Sequence, residues 1–103
     1  MEEFRLMHEY LSRHIKDEIE GAIDYLTKAL ELKGKNPDTA AKFYRMSEME
    51  VEHANCMTKM FNCIDKPETM TDSDYSAMQK QIIDSYSQSM SRIENMKKLY
   101  WDN

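Results

Sequence analysis

Residues 18–25 of the chain read EIEGAIDY, and residues 50–54 read EVEHA. Both stretches lie within longer segments in which apolar residues recur every three or four positions, the spacing that predicts amphipathic helices. One acid interrupts each apolar stripe, Glu18 in the first segment and Glu50 in the second, and His53 follows Glu50 by one helical turn on the same face. A carboxylate in an apolar stripe is unfavourable unless it is paired or binds a metal ion, so these three residues are the first candidates for a functional site.

The wider pattern predicts an all-α fold with a single domain over residues 1–103. Helices are expected at about residues 2–33, 37–64 and 72–100, and only two Gly and two Pro interrupt the chain. The first two helices are joined by a few residues, so they should form an antiparallel hairpin, followed by a third, C-terminal helix. The apolar residues predicted to face the core of the hairpin are Phe4, Met7, Leu11, Ile15, Ala22, Tyr25, Ala29 and Leu32, with Phe43, Met46, Ala54, Met57, Phe61 and Ile64.

Residues that typically cap helices lie at the predicted helix ends. Gly34 is expected to stop the first helix, and Asn36 is expected to cap the second, with Pro37 at its first position. Either Thr71 or Ser73 should cap the third helix. These signals support the helix boundaries independently of the apolar spacing.

The three candidate residues are predicted to lie at one level of the hairpin. The loop between the first two helices centres near residues 35–36, and Glu18 and His53 are each about 17–18 residues from that centre. Glu50 is about 14–15 residues away. At a rise of about 1.5 Å per residue, the three side chains fall within about one helical turn of each other.

These residue types point to a metal site. Carboxylate oxygens with an imidazole nitrogen suit iron, manganese or zinc. In ferritin-like bundles, two helices each supply one Glu and two others each supply Glu-x-x-His. This chain has one lone Glu, Glu18, and one Glu-x-x-His, formed by Glu50 and His53. The third helix adds neither, because it has no His and its acids Asp84 and Glu94 are expected on its polar face. The chain therefore encodes half a site, which a two-fold homodimer would complete, forming a ferritin-like four-helix bundle.

The same residues resemble the encapsulated ferritin family, a relative of rubrerythrin with a split ferritin-like fold. The resemblance covers about residues 10–64, and it rests on Glu18 seven residues before Tyr25 and on the Glu-x-Glu-His-Ala run that contains Glu50 and His53. It implies two iron ions bridged at a dimer interface, ferroxidase activity, and assembly of the dimers into a ring inside an encapsulin shell. Tyr25 would lie near the site as a hydrogen-bond or electron donor.

Several alternatives stay open. Glu18, Glu50 and His53 could instead form an ion-pair network that specifies a non-enzymatic helical dimer or assembly protein. The same site could serve a rubrerythrin-like peroxidase, and zinc, manganese or calcium could replace iron. Tyr25 could simply pack in the core. Which Glu bridges the metal ions is not determined by the sequence.

Composition excludes other classes of function. The chain of 103 residues has a formal net charge of −5, which argues against nucleic-acid binding. No apolar run approaches the length of a membrane span, and the acidic start lacks a signal-peptide pattern, so a cytoplasmic location is expected. Cys56 and Cys63 are seven residues apart on one predicted helix, too far for a mutual disulfide, and are expected to be reduced, buried thiols.

Overall fold

The computed structural model describes residues 2–102, which form three helices and the segments that connect them. The helices are α1 (Glu2–Leu32), α2 (Pro37–Asn62) and α3 (Asp72–Trp101), and the described residues contain no strand. The all-α prediction is confirmed, and each observed helix ends within two residues of its predicted end. None of the helices within this range has the length and apolarity needed to cross a membrane.

Side-chain caps start the second and third helices. The Asn36 side chain accepts a hydrogen bond from the backbone N–H of Thr39 at 3.2 Å, and proline occupies the first turn, as predicted. Of the two candidates for α3, Thr71 is the cap: its hydroxyl accepts the Asp74 N–H at 3.0 Å. Each cap satisfies an N–H group that has no partner within the helix.

The end of α1 differs from the prediction at Gly34. The N–H groups of Lys35 and Asn36 both donate to the carbonyl of Leu32, at 3.0 and 2.8 Å, and the chain turns without any positive φ. Gly34 therefore does not act as a left-handed cap. The tight turn follows instead from these two backbone hydrogen bonds.

The side of α2 that packs against α1 carries mostly small residues. Along α2, one residue in every seven is buried: Ala40, Ser47, Ala54 and Phe61. Ser47 is 3% exposed, and its hydroxyl donates to the carbonyl oxygen of Ala22 on α1 at 2.7 Å. A buried hydrogen bond of this kind fixes the height of one helix against the other.

The third helix covers one flank of α1. Ile19 and Leu26 of α1 are buried there in one cluster with Ile93 and Tyr100 of α3. Ile19 and Leu26 were not among the residues predicted to face the hairpin core. They are buried because α1 contacts two helices, so that a wider arc of its surface is covered than a single stripe.

The opposite side of the hairpin is left uncovered. Met7 and Met46, both predicted core residues, are 51% and 40% exposed. Cys56 and Cys63 are free thiols on the surface, so the prediction that they are buried is wrong. Met7, Met46 and Cys56 lie on sides of α1 and α2 that no helix within residues 2–102 covers, and Cys63 follows the end of α2.

We call this uncovered surface the open face. On each helix its members recur every three or four residues, or every seven, which places them on one side. It comprises Met7, His14, Glu18, Gly21 and Tyr25 of α1, with Met46, Glu50, His53, Met57 and Met60 of α2.

Candidate metal centre

Glu18, Glu50 and His53 converge at the middle of the open face. Each offers one ligand atom, and these atoms all lie within 4.8 Å of one another. Glu18 comes from α1 and the other two from α2, and Nδ1 of His53 is 3.5 Å from Oε2 of Glu18. The three residues that were predicted to share one level of the hairpin are thus brought together.

The hydrogen bond between the two helices sets this level. Ala22 lies one turn after Glu18 on α1, and Ser47 lies one turn before Glu50 on α2. The bond from the Ser47 hydroxyl to the Ala22 carbonyl therefore holds the turns that carry the two carboxylates beside each other. A shift of α2 by one turn would separate them by about 5.4 Å.

The cluster is at the surface of a single chain. The Glu18 side chain is 20% exposed and the His53 side chain 55% exposed, whereas the sequence predicted that both point into an apolar seam. The difference arises because the hairpin covers the cluster from one side only. A groove of about 710 Å³, whose lining includes Ile15, Ile19 and Ile82, lies between α1 and α3 and has none of the three cluster residues in its lining.

The carboxyl group of Glu18 raises the pKa of its neighbour, Glu50. The pKa of Glu50 is raised to about 6, first because a protonated Glu50 carboxyl can donate a hydrogen bond to the Glu18 carboxylate, then through burial and through the charge of Glu18, while the charge of His53 acts in the opposite direction. Two adjacent carboxylates without a cation repel, so one proton is retained between them to higher pH. A divalent cation bound between the two carboxylates would offset their repulsion in place of that proton.

One oxygen of the cluster lacks a partner. Oε2 of Glu18 is buried, and with both carboxyl groups ionised it accepts no hydrogen bond from any of the described residues, although Nδ1 of His53 lies 3.5 Å away. Buried polar atoms are nearly always satisfied, so such an atom calls for a partner. Its position beside a second carboxylate and an imidazole fits a metal ion of the iron, manganese or zinc type.

Tyr25 is placed near the cluster but not in it. It lies two turns from Glu18, about 10 Å along the helix axis, and its half-buried ring stacks on Phe43 at a centroid distance of 6.1 Å. The group of possible metal ligands found among the described residues does not include it. A role for Tyr25 in the chemistry therefore stays a prediction.

Two small residues beside the cluster, Ser47 and Gly21, were not singled out from the sequence. Ser47 could have been found from its seven-residue spacing with Ala54 and Phe61, which places it at the helix interface. Gly21 could have been found because it is the only glycine inside a helix among residues 2–102. Both signals concern small residues, which an apolar stripe analysis overlooks.

An all-α hairpin that presents two carboxylates and an imidazole at one level is the arrangement expected of a ferritin-like protein. The rubrerythrin family model matches residues 9–103, and the chain belongs to this iron-binding family of the ferritin-like superfamily. Searches of the curated proteins and of the solved structures find no match. The family match confirms the ferritin-like part of the resemblance seen in the sequence, while a specific relation to encapsulated ferritins stays a prediction.

Proposed function

We propose that the protein is a ferroxidase that oxidises Fe(II) to Fe(III) at a di-iron site formed between two copies of the chain. The observation that carries the proposal is the convergence of Glu18, Glu50 and His53 within 4.8 Å in a member of the rubrerythrin family. Carboxylates are suited to this reaction because their negative charge favours Fe(III) over Fe(II).

A second copy would complete the site. Each chain offers three ligands on an open surface, so two copies facing each other would supply four carboxylates and two imidazoles for two metal ions. Met7, Met46 and Met60 are 51%, 40% and 52% exposed on the same face. Burying these thioethers against a second copy would provide the apolar contact that a stable dimer needs, and the same patch would serve both partners.

The residues of the chain have separate tasks in the proposed reaction. Iron supplies one-electron redox chemistry when bound. Glu18 and Glu50 would bind the cations and offset their charge, and below about pH 6 cation binding would displace the proton that Glu50 retains. His53 would be a terminal ligand. Each of two substrate Fe(II) ions loses one electron, and dioxygen accepts both electrons with two protons to become hydrogen peroxide.

Aerobic oxidation of Fe(II), followed by near-ultraviolet absorbance, tests the proposal. Glu50→Ala and His53→Ala should each lower the initial rate by about tenfold or more, because each removes a ligand. Glu52→Ala is the matched control: Glu52 is an exposed acid on the same helix and forms no ion pair among the described residues. Equal rates in all variants would remove the ferroxidase assignment.

The family match favours a second candidate, a peroxidase that uses the same site to reduce hydrogen peroxide with electrons from Fe(II). The chain has only Cys56 and Cys63, and therefore no Cys-x-x-Cys pair to bind a further iron as an internal electron donor. Oxidation rates measured with oxygen alone and with anaerobic peroxide separate the two reactions. A purified protein that binds no iron, zinc or manganese would instead favour a purely structural dimer.

A further inference from the structure

Gly21 occupies an unexpected place for glycine. It lies well inside α1, which runs from Glu2 to Leu32, and its backbone has no positive φ. Glycine within a helix lowers stability by about 1 kcal/mol relative to alanine, so the helix itself would favour alanine at this position. The reason for glycine must lie in what surrounds it.

The surroundings of Gly21 are dominated by one side chain. A Cβ atom at this position would lie 3.3 Å from Oε2, 3.6 Å from Cδ and 3.8 Å from Cγ of Glu50. The first distance is shorter than most contacts of real Cβ atoms, so the carboxyl group would have to move by a few tenths of an ångström. Gly34, in contrast, has nothing within 4 Å of the position of its Cβ.

We propose that Gly21 is a positioning residue for the metal site. The missing side chain leaves the space into which the Glu50 carboxylate turns toward Glu18 and His53. This inference rests on the proposed function, in which those three residues bind a metal ion. Metal–ligand distances vary by only about 0.2 Å, so a displacement of the size that a methyl group requires would disturb the coordination.

The proposal predicts that Gly21→Ala weakens metal binding without lowering the stability of the metal-free protein. Gly21→Ala should raise the melting temperature of the metal-free protein, or leave it unchanged, because alanine favours the helix. The same substitution should weaken metal binding by about tenfold or more, as expected for a change that misplaces a ligand. A residue that only supported helix packing would change stability and binding in the same direction.

Co(II) is a suitable probe because its visible absorption reports both binding and coordination geometry. The wild type and the two single variants Gly21→Ala and Gly34→Ala are titrated with Co(II) in the absence of other metal ions, and their metal-free melting temperatures are measured. We expect Gly21→Ala to show weaker binding and an altered spectrum, and Gly34→Ala to match the wild type. Wild-type affinity in Gly21→Ala, or a lower melting temperature of its metal-free form, would overturn the inference.

A double variant tests the steric cause. Glu50→Asp withdraws the carboxyl group by one carbon, which should lower Co(II) affinity in the wild-type background but raise it in the Gly21→Ala background. A loss of the same size in both backgrounds would contradict the proposal. If the wild type itself binds no Co(II), the proposed function fails and this inference with it, whereas binding by the wild type and by Gly21→Ala alike removes the inference alone.

Discussion

The two sides of α1 differ although their residues alternate along the same helix. Ile19 and Leu26 are 5% and 0% exposed beneath α3, whereas their neighbours Glu18 and Tyr25 lie on the open face and are only half-buried. The covered side carries the apolar burial that stabilises the fold. The open side carries the charged and small residues of the proposed metal site, so the proposed binding and the folding of the chain depend on separate sets of side chains.

The open face also contributes less to the stability of the fold than the covered side does. The charge of Glu18 opposes ionisation of Glu50, and Gly21 is a poor helix former. Functional sites often hold groups in arrangements that do not favour the folded state. In this chain the apolar burial on the covered side offsets these unfavourable contributions. Variants of the open face should therefore remain folded and be suitable for measurements of binding.

The largest expected effect is on the covered side. Leu26→Ala should lower the free energy of unfolding by about 2–5 kcal/mol, because it empties a fully buried position. Leu6→Ala is the matched control, since Leu6 on the same helix is 52% exposed and its loss should change stability by less than about 0.5 kcal/mol. Urea denaturation measures both values. Similar losses at the two positions would mean that the covered side is not the core.

The next effect concerns association through the open face. Met46→Glu should raise the dissociation constant of the proposed dimer by about 10- to 100-fold, because it places a charge in a buried contact. Leu99→Glu is the control: Leu99 is 61% exposed on α3, away from the open face. Analytical ultracentrifugation over a concentration series gives both constants. A dimer that is weakened only by Leu99→Glu would place the interface elsewhere.

A smaller effect is expected from pH. The raised pKa of Glu50, about 6 against an ordinary 4.5, means that the folded metal-free chain binds this proton more tightly than the unfolded chain does. This contribution to stability is present below pH 4.5 and is lost as the pH rises through about 6. Its size is about 1 kcal/mol after allowance for solvent screening. Denaturation at several pH values should show the loss in the wild type and not in Glu50→Gln.

The smallest effect is expected at the hydrogen bond that joins the helices. Ser47→Ala should lower stability by about 0.5–1 kcal/mol, because one buried hydrogen bond is lost while the cavity formed is small. It should also weaken metal binding, since the bond holds Glu18 and Glu50 at one level. Thr27→Ala removes a hydroxyl bond of similar length, to the Ile23 carbonyl within α1. If both variants bind metal as the wild type does, Ser47 has no positioning role.

Much of the fold was predictable because it depends on local signals. Apolar residues three or four apart, the Asn36 cap and the short loop lead directly to an antiparallel hairpin. Counting residues from the loop was enough to predict that Glu18 and His53 meet, since an α-helix rises by a constant amount per residue. No knowledge of packing was needed for these steps.

The parts that were not predictable depend on which faces of the helices meet. Periodicity locates an apolar stripe but does not say how many helices cover it, so the burial of Ile19 and the exposure of Met46 could not be inferred. The same limit applies to the cluster itself. The cluster is partly exposed because none of the three described helices covers it, which only three-dimensional packing reveals.

Native mass spectrometry of the protein loaded anaerobically with Fe(II) tests the central claim most directly, because it reports the number of chains and metal ions in one species. The proposed half-site on each chain, formed by Glu18, Glu50 and His53, predicts a dimer that carries two iron ions. The His53→Ala variant should lose the iron. A wild-type dimer without iron, or a monomer that carries iron by itself, would contradict a site shared between two copies.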